Sequence, residues 1–539
     1  MKRNIKNVAV LGSGVMGSAI ACHFANVGLN VILLDIVPKE AQQSNNPKER
    51  NKIVDDALSK ALKSKPSPIY KKSFAKRIKT GNMSDDMHLI SNCDWIIEVV
   101  VERLDIKKIV FENVEKHRKE GTLITTNTSG IPIHTMLEGR SEDFQQHFFG
   151  THFFNPPRYL KLLEIIPTPK TNIDDINFMM DFGANILGKT MVLCKDTPAF
   201  IANRVGVYAI QDLFHTVENM NLSVSEVDKL TGPIMGRPKS ATFRTCDVVG
   251  LDTLVHVANG LKDNCPNDER KDIFEIPGFV TKMLENGWLG SKSGQGFYKK
   301  TKDENGKKQI LQLDLTSFDY VVSSKVSFPT LSLARQEENL TKRTQLLFSG
   351  KDKAGDFYRQ VFSGVFSYVS YRIPEISDEI YKIDDALKAG FGWELGPFET
   401  WDAIGMEKAL KTMEKLNRKP AEWIYQLIAE DITCFYKTED GVKKFYNLKT
   451  KKYETIPGTE NNISLSALKD SNTIWSNDDV HIINLGDGII NVEFHTKMNT
   501  IGGGVLQGIN KALDIAEQDD KYKGVVLSNE GENFSAGAN

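Results

Sequence analysis

A histidine and a glutamate in the stretch FFGTHFFNPPRYLKLLEIIP, residues 148–167, have the types and spacing for acid–base chemistry. His152 sits inside an apolar, strand-forming run, and Glu164 sits inside a second one, LKLLEII. A carboxylate in such a run is costly to bury alone, and an imidazole is its natural partner. Two strand-like runs joined by an Asn-Pro-Pro turn could bring the side chains together. Glu164 would then orient the ring and stabilise its charged form while His152 takes a proton. From spacing alone, a His–Glu pair that merely fills a core reads equally well. His147 is a competitor, but no acid is placed as plainly for it.

A second group of residues could hold phosphates. NVAVLG (7–12) reads as a buried strand, VMGSAIACHFANVG (15–28) as a helix stopped by glycine, and VILLD (31–35) as another buried strand. Between them stands the pattern Gly12-x-Gly14-x-x-Gly17, with Val15 and Met16 opening the helix. Strand, glycine turn, helix, strand and terminal acid make up the dinucleotide fingerprint. Gly12 allows the tight turn, Gly14 lets a pyrophosphate approach the backbone, and Gly17 lets helix and strand pack closely. The helix N-terminus offers free N–H groups to the phosphates. Asp35 would accept from the ribose hydroxyls and repel a 2′-phosphate, which selects NAD over NADP. Lys2, Arg3 and Lys6 before an apolar stretch imitate a secretory signal, but Gly-Ser-Gly, His23 and Asn26 break it.

These residues need a frame. DWIIEVVVE (94–102) and TLITTNTSG (122–130) read as further buried strands with helices between them. The expected frame is a doubly wound α/β domain, with ligands at the carboxyl ends of its strands. Glu102 and the run Asn127-Thr128-Ser129 stand at those ends. Residues 39–79 carry twelve Lys or Arg against four acids. That segment is either a solvated helix pair or an attractor for an anionic substrate.

At 539 residues several domains are expected. The net charge of −2 gives no basic excess for nucleic acid. No apolar run approaches membrane-spanning length. The cysteines (Cys22, Cys93, Cys194, Cys246, Cys265, Cys434) are scattered without a CxxC pair. That pattern fits free thiols in the cytoplasm, with no disulfide framework and no metal site.

The motifs GTHFFNPPRYLKLLEIIPT, NTSG and CKDTPAFIANR (194–204) together resemble the 3-hydroxyacyl-CoA dehydrogenase family, over most of residues 1–430. The resemblance implies oxidation of an L-3-hydroxyacyl-CoA to the 3-oxoacyl-CoA in fatty-acid β-oxidation, with hydride passing to NAD⁺. It implies that His152 and Glu164 are the catalytic dyad. It also implies that Ser129 and Asn203 bind near the reacting oxygen and that Glu102 helps place the nicotinamide. An acyl-CoA is a polyanion, which would give the basic segment a role. Two other readings are a short-chain 3-hydroxybutyryl-CoA dehydrogenase acting reductively and a nucleotide-binding scaffold without turnover.

Beyond Asn203 the pattern turns helical. FRTCDVVG (243–250) and FETWDAIG (398–405) align at an offset of 155, an internal duplication of a helical module. At that offset the second copy has Tyr358 or Arg359 in place of Asn203, so it is read as structural. GSKSGQG (290–296) lacks the ending and the preceding strand of a phosphate loop. FYKTEDGVKKFYNL (435–448) suggests a hairpin turning near Asp440-Gly441. The last 60 residues resemble the start of the enoyl-CoA hydratase (crotonase) family. FSAGAN (534–539) looks like its first oxyanion loop, with the backbone N–H of Ala538 as donor. That family's later catalytic glutamates have no counterpart here, so hydratase activity is expected to be absent. The expected partition is an NAD-binding Rossmann-like domain at 1–194, helical modules at 195–300 and 351–430, and connectors at 301–350 and 431–478. A truncated crotonase-like segment would occupy 479–539. A thiolase partner and a homodimer both stay open.

Overall fold

β-branched apolar runs flanked by helices on both sides dictate a buried parallel sheet, because both sheet faces are then covered. The computed structural model describes residues 3–323, 326–439, 442–459, 463–530 and 533–538. It divides into two units, Met1–Thr433 and Cys434–Asn539.

The first unit opens with an eight-stranded sheet. Its strands are β1 (Asn7–Leu11), β2 (Asn30–Asp35), β3 (Ile78–Asn82), β4 (Trp95–Glu98), β5 (Leu123–Thr126), β6 (Phe148–Phe153), β7 (Leu162–Pro167) and β8 (Thr190–Leu193). The order is β3-β2-β1-β4-β5-β6-β7-β8, so chain direction through the sheet reverses beside β1. A crevice opens at such a switch point. All neighbours are parallel except β6 and β7, which run antiparallel. β3 and β8 carry no clear sequence signal: β3 closes the basic segment, and β8 is four residues long. The strand read over 94–102 ends at Glu98 instead. There the Glu98 carboxylate accepts the N–H of Val100 at 2.6 Å and turns the chain, leaving Val101 exposed.

Helices then dominate. Ala202–Met220 leads Val224–Leu230, Phe243–Val249, Leu251–Asn264 and Gly278–Glu285. A small antiparallel sheet follows, with strands Tyr298–Lys302, Lys308–Leu313 and Tyr320–Val322. After Pro329–Ala334 and Leu340–Ser349 a second long helix, Lys353–Arg372, leads Ile380–Phe391, Pro397–Ile404, Met406–Lys415 and Glu422–Ala429. Gly250 and Gly405, 155 residues apart, both take φ 98°, with ψ 124° and 127°, and each joins one helix directly to the next. The two long helices pack through Tyr208 and Tyr368, whose rings stack at 3.7 Å. Tyr358 donates to the Leu230 carbonyl, and Arg359 donates to the carbonyls of Phe348 and Gly350.

The second unit holds a three-stranded sheet, Tyr436–Glu439, Val442–Asn447 and Lys452–Thr455. The first two strands form the hairpin; its turn, Asp440-Gly441, lies outside the described residues. A four-stranded sheet, Thr473–Ser476, Val480–Gly486, Ile489–Phe494 and Gly524–Leu527, packs against the helix Gly503–Gln518 over Val480, Ile482, Val492, Phe494 and Val505. Among the described residues, no helix is long and apolar enough to cross a membrane.

Candidate active site

The glycine turn sits at the carboxyl end of β1, against the start of β4's exit loop. Gly12 takes φ +103°, and a Cβ there would run into the Val99 carbonyl. A Cβ on Gly17 would strike the Gly12 carbonyl, so the helix Val15–Asn26 can lie on the turn only with glycine at 17. Gly14 faces open space, as a backbone approached by phosphate requires. Val15 is exposed at the helix mouth, and Met16 packs on the core. Asp35 ends β2 with its carboxylate held by the Ser13 N–H (2.6 Å), the Ser13 hydroxyl (2.5 Å) and the Ile36 N–H (2.7 Å). The turn and the acid that ends β2 are thereby tied to each other.

β6 and β7 pair antiparallel with His152 directly opposite Glu164. Nδ1 of His152 lies 2.7 Å from Oε2 of Glu164, with the ring N–H donating. In the neutral ring this leaves the lone pair on Nε2. Glu164 is fully buried, and His152 is 6% exposed. Oε1 of Glu164 accepts the backbone N–H of Ile201 (3.2 Å) and of Ala202 (2.9 Å), where the helix Ala202–Met220 begins. A helix N-terminus suits a carboxylate. The rings of Phe154 and Phe200 flank the imidazole at 4.6 and 5.5 Å. Asn203, half-buried, is the next residue along the helix. Behind the dyad, burial pushes the Cys194 thiol well up, and the charge of Glu164 adds to the rise.

The turn that feeds this helix is unusual. Ala199 and Phe200 both take positive φ, 60° and 51°, although neither is glycine. Such residues cost on the order of 1–3 kcal/mol each and persist where the surroundings over-determine them.

Glu102 and Ser129 meet. Oε1 of Glu102 accepts the Ser129 N–H (2.9 Å) and the Gly130 N–H, and Oε2 accepts the Ser129 hydroxyl (3.0 Å). Burial favours the neutral acid, but these donors outweigh it and hold the Glu102 carboxyl below the usual carboxylate range. Asn127 accepts the Phe153 N–H at 2.9 Å, linking the end of β5 to the strand that carries His152.

Two matches decide what this arrangement belongs to. A family model described as the NAD-binding domain of 3-hydroxyacyl-CoA dehydrogenase matches residues 7–197. A model for the C-terminal domain of the same enzymes matches in two stretches, 200–300 and 372–440. The chain belongs to the 3-hydroxyacyl-CoA dehydrogenase family. A Bacillus subtilis (strain 168) protein described as a probable 3-hydroxyacyl-CoA dehydrogenase is 45% identical over the whole of this chain, which spans 68% of that protein. A Rickettsia felis protein described as a "putative fatty acid oxidation complex trifunctional enzyme" is 31% identical over the whole chain and 69% of its own length. The structure of a 3-hydroxybutyryl-CoA dehydrogenase from Escherichia coli K12 shares the fold, at TM-score 0.57 and 21% identity, over 79% of this chain and 99% of the other.

As a 3-hydroxyacyl-CoA dehydrogenase family member, the chain is an NAD-dependent oxidoreductase, and its glycine cradle and Asp35 fit that cofactor. Several side chains near the site went unread in the sequence. Lys107 and Glu98 form an ion pair beneath the glycine turn, and Thr126 donates its hydroxyl to the same carboxylate at 2.6 Å. Arg158, from the loop joining the dyad strands, donates to the carbonyls of Ser67 and Ile69 and lies over the Tyr70 ring. The basic segment is thus fastened to that loop. His147 pairs with an acid that its sequence spacing did not point to, Asp175, but the pair lies where β6 begins, at the opposite end of the strand from His152. In the second unit, Ala538 is exposed and forms an isolated parallel bridge with Ile501.

Proposed function

We propose that the chain oxidises L-3-hydroxyacyl-CoA to 3-oxoacyl-CoA as a step of fatty-acid β-oxidation. The single observation that carries the reading is the His152–Glu164 pair, buried, in register and joined by a 2.7 Å hydrogen bond. NAD⁺, when bound, would supply the acceptor for the hydride that leaves carbon. The chain's own residues handle the rest. His152 takes the hydroxyl proton at Nε2, and Glu164 stabilises the imidazolium that results. Ser129 and Asn203 are proposed to donate to the developing carbonyl oxygen, which lowers the cost of its charge. Glu102, held as a carboxylate, is proposed to place the nicotinamide together with Asn127.

The partition is proposed as an NAD-binding domain, two copies of one helical module, and a crotonase-like segment that includes Ala538. The shared backbone angles of Gly250 and Gly405 and the two-part family match support the duplication. The similarity to a protein described as trifunctional supports the last assignment. NADH oxidation at 340 nm with acetoacetyl-CoA and longer 3-oxoacyl-CoAs tests the reading. Turnover with wild type and a loss of most of it in His152→Gln is expected; equal turnover in both would exclude His152 as the base.

A further inference from the structure

The strained turn before the helix Ala202–Met220 needs something to hold it, and the structure supplies that from the second half of the helical region. Two residues beyond Ala202, the guanidinium of Arg204 is fully buried. Its Nε donates to the Tyr368 hydroxyl at 2.6 Å. Its Nη2 donates to Asp268 at 2.7 Å and Glu375 at 2.9 Å, and its Nη1 meets the Cys265 sulfur at 2.8 Å. The Tyr368 hydroxyl in turn donates to Asp268 at 2.8 Å. Arg372, also buried, pairs with Asp268 and Glu375 at 2.9 Å and lies over the Tyr368 ring. Tyr368 also stacks on Tyr208, one turn along the helix from Arg204. A second clamp acts on the first two turns of the same helix. The Phe391 ring fills the space where Gly206 lacks a Cβ, and Gly390 leaves room for Leu162, Ala202 and Phe154.

We propose that Tyr368 is a positioning residue for the dyad: through Arg204 it fixes the Ala199-Phe200 turn, which aims the Ile201 and Ala202 N–H groups at Glu164. The inference rests on the reading of His152 and Glu164 as the base. The physical link runs in one direction. Backbone donors on Oε1 draw charge from the carboxylate and lower its basicity. If the first turn of the helix relaxes, those bonds lengthen and Glu164 becomes a stronger acceptor for the His152 Nδ1–H. The imidazolium is then stabilised, and the base works only at higher pH. A buried guanidinium that loses an acceptor has no water to replace it, so removing one hydroxyl is enough to perturb the turn.

Tyr368→Phe removes that hydroxyl and keeps the ring stack. Hydroxyacyl-CoA oxidation by the full chain would be followed across pH, together with the thermal midpoint and the KM for NAD⁺. The acid limb of kcat/KM is expected to move up by about 0.5–1 pH unit and kcat near neutrality to fall about three- to tenfold, with KM for NAD⁺ unchanged. Glu375→Gln, at the half-exposed rim of the cluster, is expected to move the limb in the same direction by less, and it carries the test if Tyr368→Phe does not fold. A lowered thermal midpoint with the acid limb and kcat unmoved in both variants would make the cluster purely structural and overturn the proposal. His152→Gln separates the two readings. Turnover in His152→Gln equal to wild type would overturn the base assignment and this inference with it. An inactive His152→Gln beside an unmoved limb in the cluster variants would overturn this inference alone.

Discussion

Lys107 and Glu98 form an ion pair from which water is excluded: Nζ lies 2.8 and 2.9 Å from the two carboxylate oxygens, and neither side chain is more than 1% exposed. Glu98 also faces Leu11 across the β1–β4 register, one residue before the glycine turn. Removing one partner of such a pair strands a charge in the interior. Lys107→Met is expected to destabilise the first unit by about 3–5 kcal/mol, and Glu98→Gln in the same chain is expected to restore part of that loss. Thermal denaturation of both variants, with NADH affinity measured alongside, checks this. A midpoint for Lys107→Met within a degree of wild type would show that Glu98 finds another partner.

His152→Gln keeps a side chain of similar reach but no base. It is expected to bind NADH as wild type does and to lose about 10²–10⁴-fold in hydride transfer, the range a positioned general base supplies. Fluorescence titration and single-turnover absorbance separate binding from chemistry.

Asp35 presents a carboxylate already oriented by three donors. If Asp35 reads the ribose, Asp35→Ala removes both the acceptor for its hydroxyl and the charge that would repel a 2′-phosphate. Affinity for NADH is expected to fall about tenfold and the preference over NADPH to narrow by at least as much. Unchanged selectivity would mean that another group reads the ribose.

Five of the six cysteines are buried and one, Cys434, is half-buried. Burial pushes the Cys22 and Cys93 thiols up to about 12 and raises those of Cys194, Cys246 and Cys265 as well. A thiol at about 12 has roughly one part in 10⁴ as thiolate at pH 8. A disulfide reagent at that pH is expected to titrate one thiol in the native protein and the other five after denaturant is added. Rapid native reaction of more than one would show that a buried cysteine is reached through local opening.

The glycine turn and the dyad were legible because their signals are local. The turn is contiguous, and His152 and Glu164 lie on neighbouring strands joined by a short loop. The sheet was legible where its strands are long and apolar; β3 and β8 are short and partly polar. Lys107 was not legible, because a lysine on a helix reads as solvated unless the carboxylate beneath it is known. The donors at Ile201 and Ala202 are backbone groups and leave no trace in residue type. The Arg204–Tyr368–Asp268 cluster joins positions 64 to 164 residues apart, which no periodicity reports. The acid beside His147 was not legible for the same reason, since Asp175 lies 28 residues downstream.

The antiparallel register of β6 and β7 has a consequence for how such dyads are recognised in other chains. In antiparallel strands each step along one is matched by a step back along the other, so residues added to the connecting loop leave every opposing pair intact. The 12-residue interval between His152 and Glu164 is therefore incidental, and loops of other lengths can carry the same pair. A one-residue slip of either strand, by contrast, would turn its whole row of side chains to the other face of the sheet and separate the two at once. Loop length is the coordinate open to variation here, and pairing register is the one held constant.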